Sequence, residues 1–320
     1  MTNVLGIIFA NSHEECIPEL SANRTMASIP FGGRFRLIDF HLSNMVNSGM
    51  TRVGVITKSN YQSLIDHIGS ARQWDLARTD GGLTILPPYG RTDSGLYTGK
   101  LEAIRGALGY ITKSPCEYVA ITDCNMVYNA DFLKLTEAHI ESGADITCAA
   151  VNAEFTASET ADSIIFNAGG NGRVKETIIN CARAGNYKMS LNVFLLKKQL
   201  LIDLVTDLIP KGKLNFARDI LQDMADELDI RVYDYEGYYS KISDLESYYD
   251  ANMALLDKSN LERLILMKRP IYTKVRDDAP SKYGLNSSVT NSLVADGCII
   301  EGVVENSILF RGVRVEKGAV

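Results

Sequence analysis

Pro30-Phe31-Gly32-Gly33-Arg34-Phe35-Arg36-Leu37-Ile38-Asp39-Phe40-His41-Leu42-Ser43-Asn44, closing in Asn47-Ser48-Gly49, is the least generic stretch of this sequence. From 33 to 49 its spacing predicts a largely helical segment. Phe35, Ile38, Leu42, Met45 and Val46 share one face, which reads as core, and Gly49 suits a left-handed C-terminal cap. Outward from it, short apolar runs alternate with amphipathic ones. Residues 4–10, 52–57, 118–122 and 146–151 read as strands, and 62–68, 100–111 and 130–142 as helices. That alternation predicts βαβ units, hence an α/β, Rossmann-like fold with a mainly parallel sheet.

With 320 residues the chain has room for one large domain and a small one. A hydrophobic fraction of 46% beside 22% charged residues fits a soluble globular protein. The net charge is −6 and the basic residues are scattered, which argues against a nucleic-acid partner. No apolar run approaches the ~20 residues of a membrane span. The run 4–10 starts almost at Met1 without a basic segment before it, so it reads as a strand and not a signal peptide. Cys16, Cys116, Cys124, Cys148, Cys181 and Cys298 form no C-x-x-C pair. They are expected to be reduced thiols in a cytoplasm, with no disulfide framework and no zinc site.

The texture changes after about residue 260. Residues 268–281 hold Pro270 and Pro280 among many charges and read as part of a linker. Beyond Ser288 aliphatic and glycine positions fall into partial six-residue register: Val294 with Ile300, Leu309 with Val315, Gly312 with Gly318. This periodicity predicts coils of a left-handed parallel β-helix, against the simpler reading of a two-stranded hairpin. The pattern breaks off at Val320 in mid-register, and further coils are expected to be missing from the sequence. The expected division is a domain over 1–260, a linker over 261–287 and coils over 288–320.

The opening run resembles the P-F-G-G-[KR]-[FY]-R-[LI]-I-D-F-x-L-S-N-x-x-N-S-G signature of the ADP-glucose pyrophosphorylase family, the glucose-1-phosphate adenylyltransferases. Tyr97-Thr98-Gly99-Lys100-Leu101-Glu102-Ala103 is similar to the family's W-Y-x-G-T-A-D-A. Gly237-Tyr238-Tyr239 through Tyr248-Tyr249-Asp250-Ala251-Asn252-Met253 is similar to its G-Y-W-x-D-V-G-T-I-x-x-Y-x-x-A-N-M. Ser292-Leu293-Val294, Gly297-Cys298-Ile299-Ile300 and Asn306-Ser307 resemble the opening of its β-helix. The resemblance spans essentially the whole chain. It implies a nucleotide-diphospho-sugar transferase domain, a C-terminal left-handed β-helix and a tetramer.

The family joins ATP to glucose 1-phosphate and releases pyrophosphate. Such chemistry rests on positioning and on cations that neutralise developing charge. The residues here depart from that need. The family's A-G-G-x-G-x-R-L phosphate loop is replaced by Ala10-Asn11-Ser12-His13-Glu14-Glu15-Cys16, with no glycine, no arginine and two carboxylates that repel a triphosphate. Its phosphate-facing lysine falls on Met26. Its two Mg²⁺ carboxylates fall on Asn125 and Lys241, and a two-residue shift onto Asp123 moves the carboxylate elsewhere on the strand end. Its E-K-P motif is absent between Arg173 and Tyr187, where Lys175-Glu176 reads as an exposed pair.

No catalytic residue is therefore expected. Asn11, Ser12, Met26, Asn125 and Lys241 are the degenerate positions, Mg²⁺ is expected to be lost, and no other cofactor is implied. Thr57, Lys58, Gly99, Lys100, Glu102, Asp123 and Ser190 remain as a candidate residual ligand pocket. The resemblance narrows to the accessory, GlgD-type branch, whose members stimulate a catalytic subunit in a mixed tetramer. It implies a cytoplasmic regulatory subunit of ADP-glucose synthesis, in a hetero-tetramer or a homo-oligomer. Two other readings stand beside it: an active enzyme rebuilt on Asp123, Lys58 and Lys100, and a module that senses a nucleotide or sugar phosphate.

Overall fold

All six residues of the first strand, β1 (Val4–Phe9), are buried. Val4 and Ile8 enter the apolar layer on one face of the sheet; Leu5, Ile7 and Phe9 enter the layer on the other. A strand covered on both faces is apolar throughout, which is why 4–10 shows no polar alternation. Gly6 lets the Met45 thioether pack against the strand, where a Cβ would force that flexible side chain to shift.

The computed structural model describes residues 3–88, 97–265 and 268–319. Met1 and Val320, at the limits of the sequence reading, lie outside the described residues. Nine strands form one sheet: β1, β2 (Arg52–Ile56), β3 (Gly82–Leu86), β4 (Tyr118–Asp123), β5 (Ile146–Phe155), β6 (Ile164–Ala168), β7 (Val174–Ile179), β8 (Gly185–Lys197) and β9 (Ile230–Asp234). β4, β1, β2 and β3 lie side by side and parallel, as the βαβ reading requires. β8 runs antiparallel to β4, β5 and β6, and β7 runs antiparallel to β6, so the sheet is mixed. β8 also carries a bulge between Ser190 and Val193, with Asn192 in the left-handed region at φ 56°. Before the bulge β8 pairs with β6; after it, on the same side, β8 pairs with β4.

The α-helices of five or more residues are α1 (Leu37–Asn47), α2 (Gln62–Ile68), α3 (Lys100–Lys113), α4 (Phe132–Ser142), α5 (Ala157–Ala161), α6 (Lys198–Leu208), α7 (Leu245–Met253) and α8 (Lys258–Leu264). α1 starts four residues later than its periodicity predicts. Pro30–Phe31 and Phe35–Arg36 pair as a small antiparallel hairpin through Gly32 and Gly33, whose φ values are 57° and 81°.

Asp39, His41, Ser43 and Asn44 of α1 are buried along with the apolar residues, and each takes a distant partner. Arg36 N donates to Asp39 Oδ2 at 2.9 Å, and Asp39 Oδ1 faces His67 Nε2 at 2.6 Å. Asn44 Nδ2 donates to Tyr128 O at 3.0 Å, and its Oδ1 accepts from Ala130 N at 3.1 Å. Ser48 Oγ accepts from Phe132 N and from Arg269 Nη2. Tyr272 N donates to Ser43 Oγ, and Asn47 Nδ2 donates to Pro270 O. Gly32 N donates to Asn252 Oδ1 and Tyr248 OH to Pro30 O, which joins the second resembling motif to the first.

The C-terminal stretch forms short parallel strands and no hairpin among the described residues. Lys282–Tyr283, Ile299–Ile300 and Arg314–Val315 make one sheet. Ser288–Thr290 pairs with Val303–Glu305, and Leu293–Val294 with Ile308–Leu309. Partner positions such as Asn291 and Asn306 are 15 residues apart. The expected six-residue pairs Val294/Ile300 and Leu309/Val315 thus lie on different sheets around the shared core of Cys298, Ile300 and Val304. Strand Lys282–Tyr283 falls within 261–287, and α8 crosses residue 260. Leu293 and Ile308 pack against the main core. All six cysteines are free, and no helix among the described residues is long and apolar enough to cross a membrane.

His41 is fully buried in α1, with Nδ1 3.1 Å from Thr122 Oγ1 and 3.2 Å from Tyr128 OH. Burial pulls its pKa down from 6.5 to about 4. Above pH ~6.5 the ring is neutral in both states. Between there and pH ~4 the unfolded chain takes a proton that the folded chain refuses, so stability falls on acidification by up to about 1.4 kcal/mol per pH unit. Urea unfolding at stepped pH values is expected to show this slope in the wild type and its loss in His41→Asn. Equal slopes for the two proteins would contradict the assignment.

Candidate functional site

The C-terminal ends of parallel β1 and β4 open side by side, and α3 begins above them. After β1 the chain cannot form a glycine loop. Asn11 ties it down instead, its Oδ1 accepting from Lys58 N at 2.7 Å and its Nδ2 donating to Ser59 O and Glu14 Oε2. His13 follows in the left-handed region at φ 63°. Its ring reaches two carboxylates, with Nδ1 3.0 Å from Asp162 Oδ2 and Nε2 3.2 Å from Asp123 Oδ2. Asp123 ends β4, and its Oδ2 also accepts from Lys100 Nζ at 2.8 Å. Ser12, His13, Gly99, Lys100, Asp123 and Asp162 line a cavity of about 300 Å³, with Asn192 from the β8 bulge at its side. A second cavity of about 130 Å³, lined by Asn11, Ser12, Lys58, Tyr97, Thr98, Gly99 and Lys100, adjoins the first.

Two cations and two carboxylates therefore form a closed series: Lys100, Asp123, His13, Asp162. Burial alone would lower the His13 pKa, but the hydrogen bonds to Asp123 and Asp162 carry it well above its usual value. Burial would raise Asp123, yet Lys100 and His13 hold it well below the carboxylate range. The hydrogen bond from His13 brings Asp162 down to about 2. These shifts favour the imidazolium at His13 and the carboxylates at Asp123 and Asp162.

Several candidate positions gather here. Gly99, Lys100 and Asp123 line the larger cavity; Asn11, Ser12 and Lys58 line the smaller. Gly99 admits no side chain, because a Cβ would collide with Leu214 O. Lys58 Nζ stands 5.9 Å from the Tyr97 ring centroid, and Lys100 Nζ 5.1 Å from that of Phe9. Thr57, Glu102 and Ser190 line neither cavity. Thr57 is buried under the strand end, Glu102 Oε2 accepts from Thr98 N at the start of α3, and Ser190 Oγ accepts from Asn192 N at the bulge. Met26 is fully buried in the core. Lys175 and Glu176 are exposed on β7.

Asn125 and Lys241, the positions on which the family's two Mg²⁺ carboxylates fall, line neither cavity. Asn125 is fully buried and its Oδ1 accepts from Asn192 Nδ2, which stands between it and the cavity. Lys241, at the end of the short strand Tyr239–Lys241, turns to the C-terminal end of α5. There Nζ donates to Glu159 O at 2.9 Å, Asp162 O at 2.6 Å and Ser163 Oγ at 2.7 Å. An ammonium on helix-terminal carbonyls satisfies acceptors that the helix leaves open. Burial draws its pKa below the usual lysine value.

The family's Mg²⁺ does not fit these residues. The position of one ligand carries a buried amide, and that of the other carries an ammonium already bound to three oxygens. His13 and Asp162, which close the charge series, carry no signal in the sequence. They are 149 residues apart, and neither belongs to a spaced motif. Only the missing glycines of the loop mark the neighbourhood.

A family model described as nucleotidyl transferase matches residues 16–258. The chain is similar to a glycogen biosynthesis protein GlgD of Bacillus subtilis (strain 168), at 34% identity over 98% of this chain and 81% of that protein. It is similar to the protein of the same name from Geobacillus stearothermophilus, at 37% identity over 99% and 82%. It is also similar to a glucose-1-phosphate adenylyltransferase of Geobacillus stearothermophilus, at 32% identity over 99% and 82%.

Lys241 is expected to behave as a structural cation. Lys241→Met takes the ammonium from all three oxygens, although Ser163 Oγ still donates to Glu159 O, and should lower stability by about 1–3 kcal/mol. Lys241→Asp sets a carboxylate against those oxygens and should destabilise further, without creating a Mg²⁺ site even when combined with Asn125→Asp. Denaturant unfolding with and without Mg²⁺ checks both points; Mg²⁺-dependent stabilisation of the double variant would reverse the conclusion.

Proposed function

The chain belongs to the nucleotidyl transferase family, in its ADP-glucose pyrophosphorylase branch, and on that premise we propose that it is a non-catalytic regulatory subunit acting beside a catalytic glucose-1-phosphate adenylyltransferase in glycogen biosynthesis. The observation that carries this reading is the closed series Lys100–Asp123–His13–Asp162. Nucleotidyl transfer needs free cations to meet a polyphosphate and carboxylates to hold its metal. Here cations and carboxylates neutralise one another inside the cleft. A triphosphate entering would have to take Lys100 from Asp123 and leave that buried carboxylate with His13 as its one remaining counter-charge, a loss of about 1.5–3 kcal/mol before any binding is gained.

The competing reading, an active centre rebuilt on Asp123, Lys58 and Lys100, meets the same obstacle, since two of its three groups hold each other at 2.8 Å. A separate catalytic partner accords with Geobacillus stearothermophilus, in which relatives under both names occur. In this proposal the two subunits share a cytoplasmic hetero-tetramer. The first domain spans 1–260, 261–287 links it onward, and the parallel strands of 288–320 open a left-handed β-helix used in assembly.

The test compares the purified chain, a catalytic paralogue and their mixture for pyrophosphate release from ATP and glucose 1-phosphate with Mg²⁺. The chain alone is expected to give no turnover. The mixture is expected to elute as one oligomer and to turn over faster than the paralogue alone. Turnover by the chain alone at the paralogue's rate would establish a rebuilt centre, and failure to associate would end the accessory reading.

A further inference from the structure

Beside the larger cavity, which His13 and Asp162 line, three side chains of a different chemistry come together. His13 Nδ1, Cys16 Sγ and a carboxylate oxygen of Asp162 all lie within 4.8 Å of one another. Nδ1 is 3.0 Å and Sγ 3.4 Å from the same atom, Asp162 Oδ2. Zinc bonds of about 2.0–2.1 Å to nitrogen and oxygen and about 2.3 Å to sulfur, at tetrahedral angles, set N···O edges near ~3.3 Å and S···O edges near ~3.5 Å. Two edges of the triangle are therefore within a few tenths of an ångström of zinc size. We propose that His13, Cys16 and Asp162 bind a divalent transition-metal ion of the Zn²⁺ class, whether or not the chain is an accessory subunit.

The present hydrogen bonds show how the exchange balances. The imidazolium Nδ1–H and the thiol Sγ–H both donate to Asp162 Oδ2, so two protons converge on one carboxylate oxygen. A dication replaces them. The thiol proton and the Nδ1 proton leave to solvent, and thiolate, neutral imidazole and carboxylate bind the metal. The formal charge of the site is zero before and after. Nitrogen, sulfur and oxygen donors favour Zn²⁺ or Co²⁺ and disfavour Mg²⁺, which takes oxygen ligands.

A second observation points the same way. The far side of the ring, Nε2, lies 3.2 Å from Asp123 Oδ2, and Asp123 is 1% exposed and anchored by Lys100. A buried carboxylate behind a ligating histidine fixes the tautomer and orientation that metal binding needs. Asp123 Oδ1 is buried with no hydrogen-bond partner among the described residues, while its Oδ2 holds both Lys100 Nζ and the ring. The ligand backbones are held as well: Lys241 Nζ donates to Asp162 O, and Cys16 N donates to His13 O. His13 and Asp162 both line the cavity, which leaves a fourth coordination position facing it.

The full chain, stripped with chelator, is titrated with Co²⁺. One equivalent is expected to give a thiolate-to-cobalt charge-transfer band and the intense ligand-field bands of four-coordinate cobalt. Zn²⁺ should displace both, and excess Mg²⁺ neither. Cys16→Ser should abolish the charge-transfer band, while Cys181→Ser keeps it. Asp123→Asn should keep the band but weaken binding about 10–100-fold. Protection of Cys16 from alkylation by Zn²⁺, read by mass spectrometry in the unsubstituted chain, tests the same ligand without relying on a variant that must fold. No thiolate band in the wild type, a band that survives Cys16→Ser, or no protection of Cys16 would each overturn the site.

Discussion

The fold depends on a helix that buries polar side chains and draws partners for them from distant parts of the chain. In α1 the groups of Asp39, Ser43 and Asn44, with Ser48 just beyond, lie out of water, and a buried polar atom left unpaired costs about 1–3 kcal/mol. Their partners come from Ala130, Phe132, Tyr272 and the side chain of His67. One short segment thus clamps the turn after Tyr128, the start of α4 and the chain leading into the C-terminal strands. None of residues 30–48 lines either cavity among the described residues. The signature that carries the family resemblance is a device for folding. It testifies to architecture and is silent on turnover.

In the cleft the chain supplies internally the counter-charges that substrates and metal supply elsewhere. Lys100 is matched by Asp123, His13 by two carboxylates, and the Lys241 ammonium by three oxygens at the end of α5. Each arrangement is stable without a ligand. A centre that must attract a polyphosphate is the opposite case, with charge held unbalanced until the ligand arrives. The departures at Asn125 and Lys241 are consistent with this, because both side chains have been drawn into the protein's own hydrogen bonding.

Local pattern made the parallel half of the sheet legible. The runs containing β1, β2, β4 and β5 stand out because they are apolar and bounded by turn residues. β8 did not, since 189–196 is buried throughout and reads equally as strand or core helix. Helix α1 was legible, but its first turn was lost to a hairpin that depends on left-handed Gly32 and Gly33. In the site, Gly99, Lys100 and Asp123 could be found because motifs flank them. His13 and Asp162 could not, because their meeting depends on how β1 and α5 are placed in space. The six-residue register after Ser288 announced parallel strands, but which residues pair was not legible, since partners there are 15 residues apart.

The bulge in β8 has a consequence for what this protein can become. At Asn192 the strand exchanges one neighbour for another, and the sheet divides like a forked branch with the cleft in its crotch. The opening is a property of connectivity, so replacing side chains alters its contents without sealing it. Selection for assembly alone would carry such a socket along unfilled, and any newcomer with matching chemistry would find it already dug.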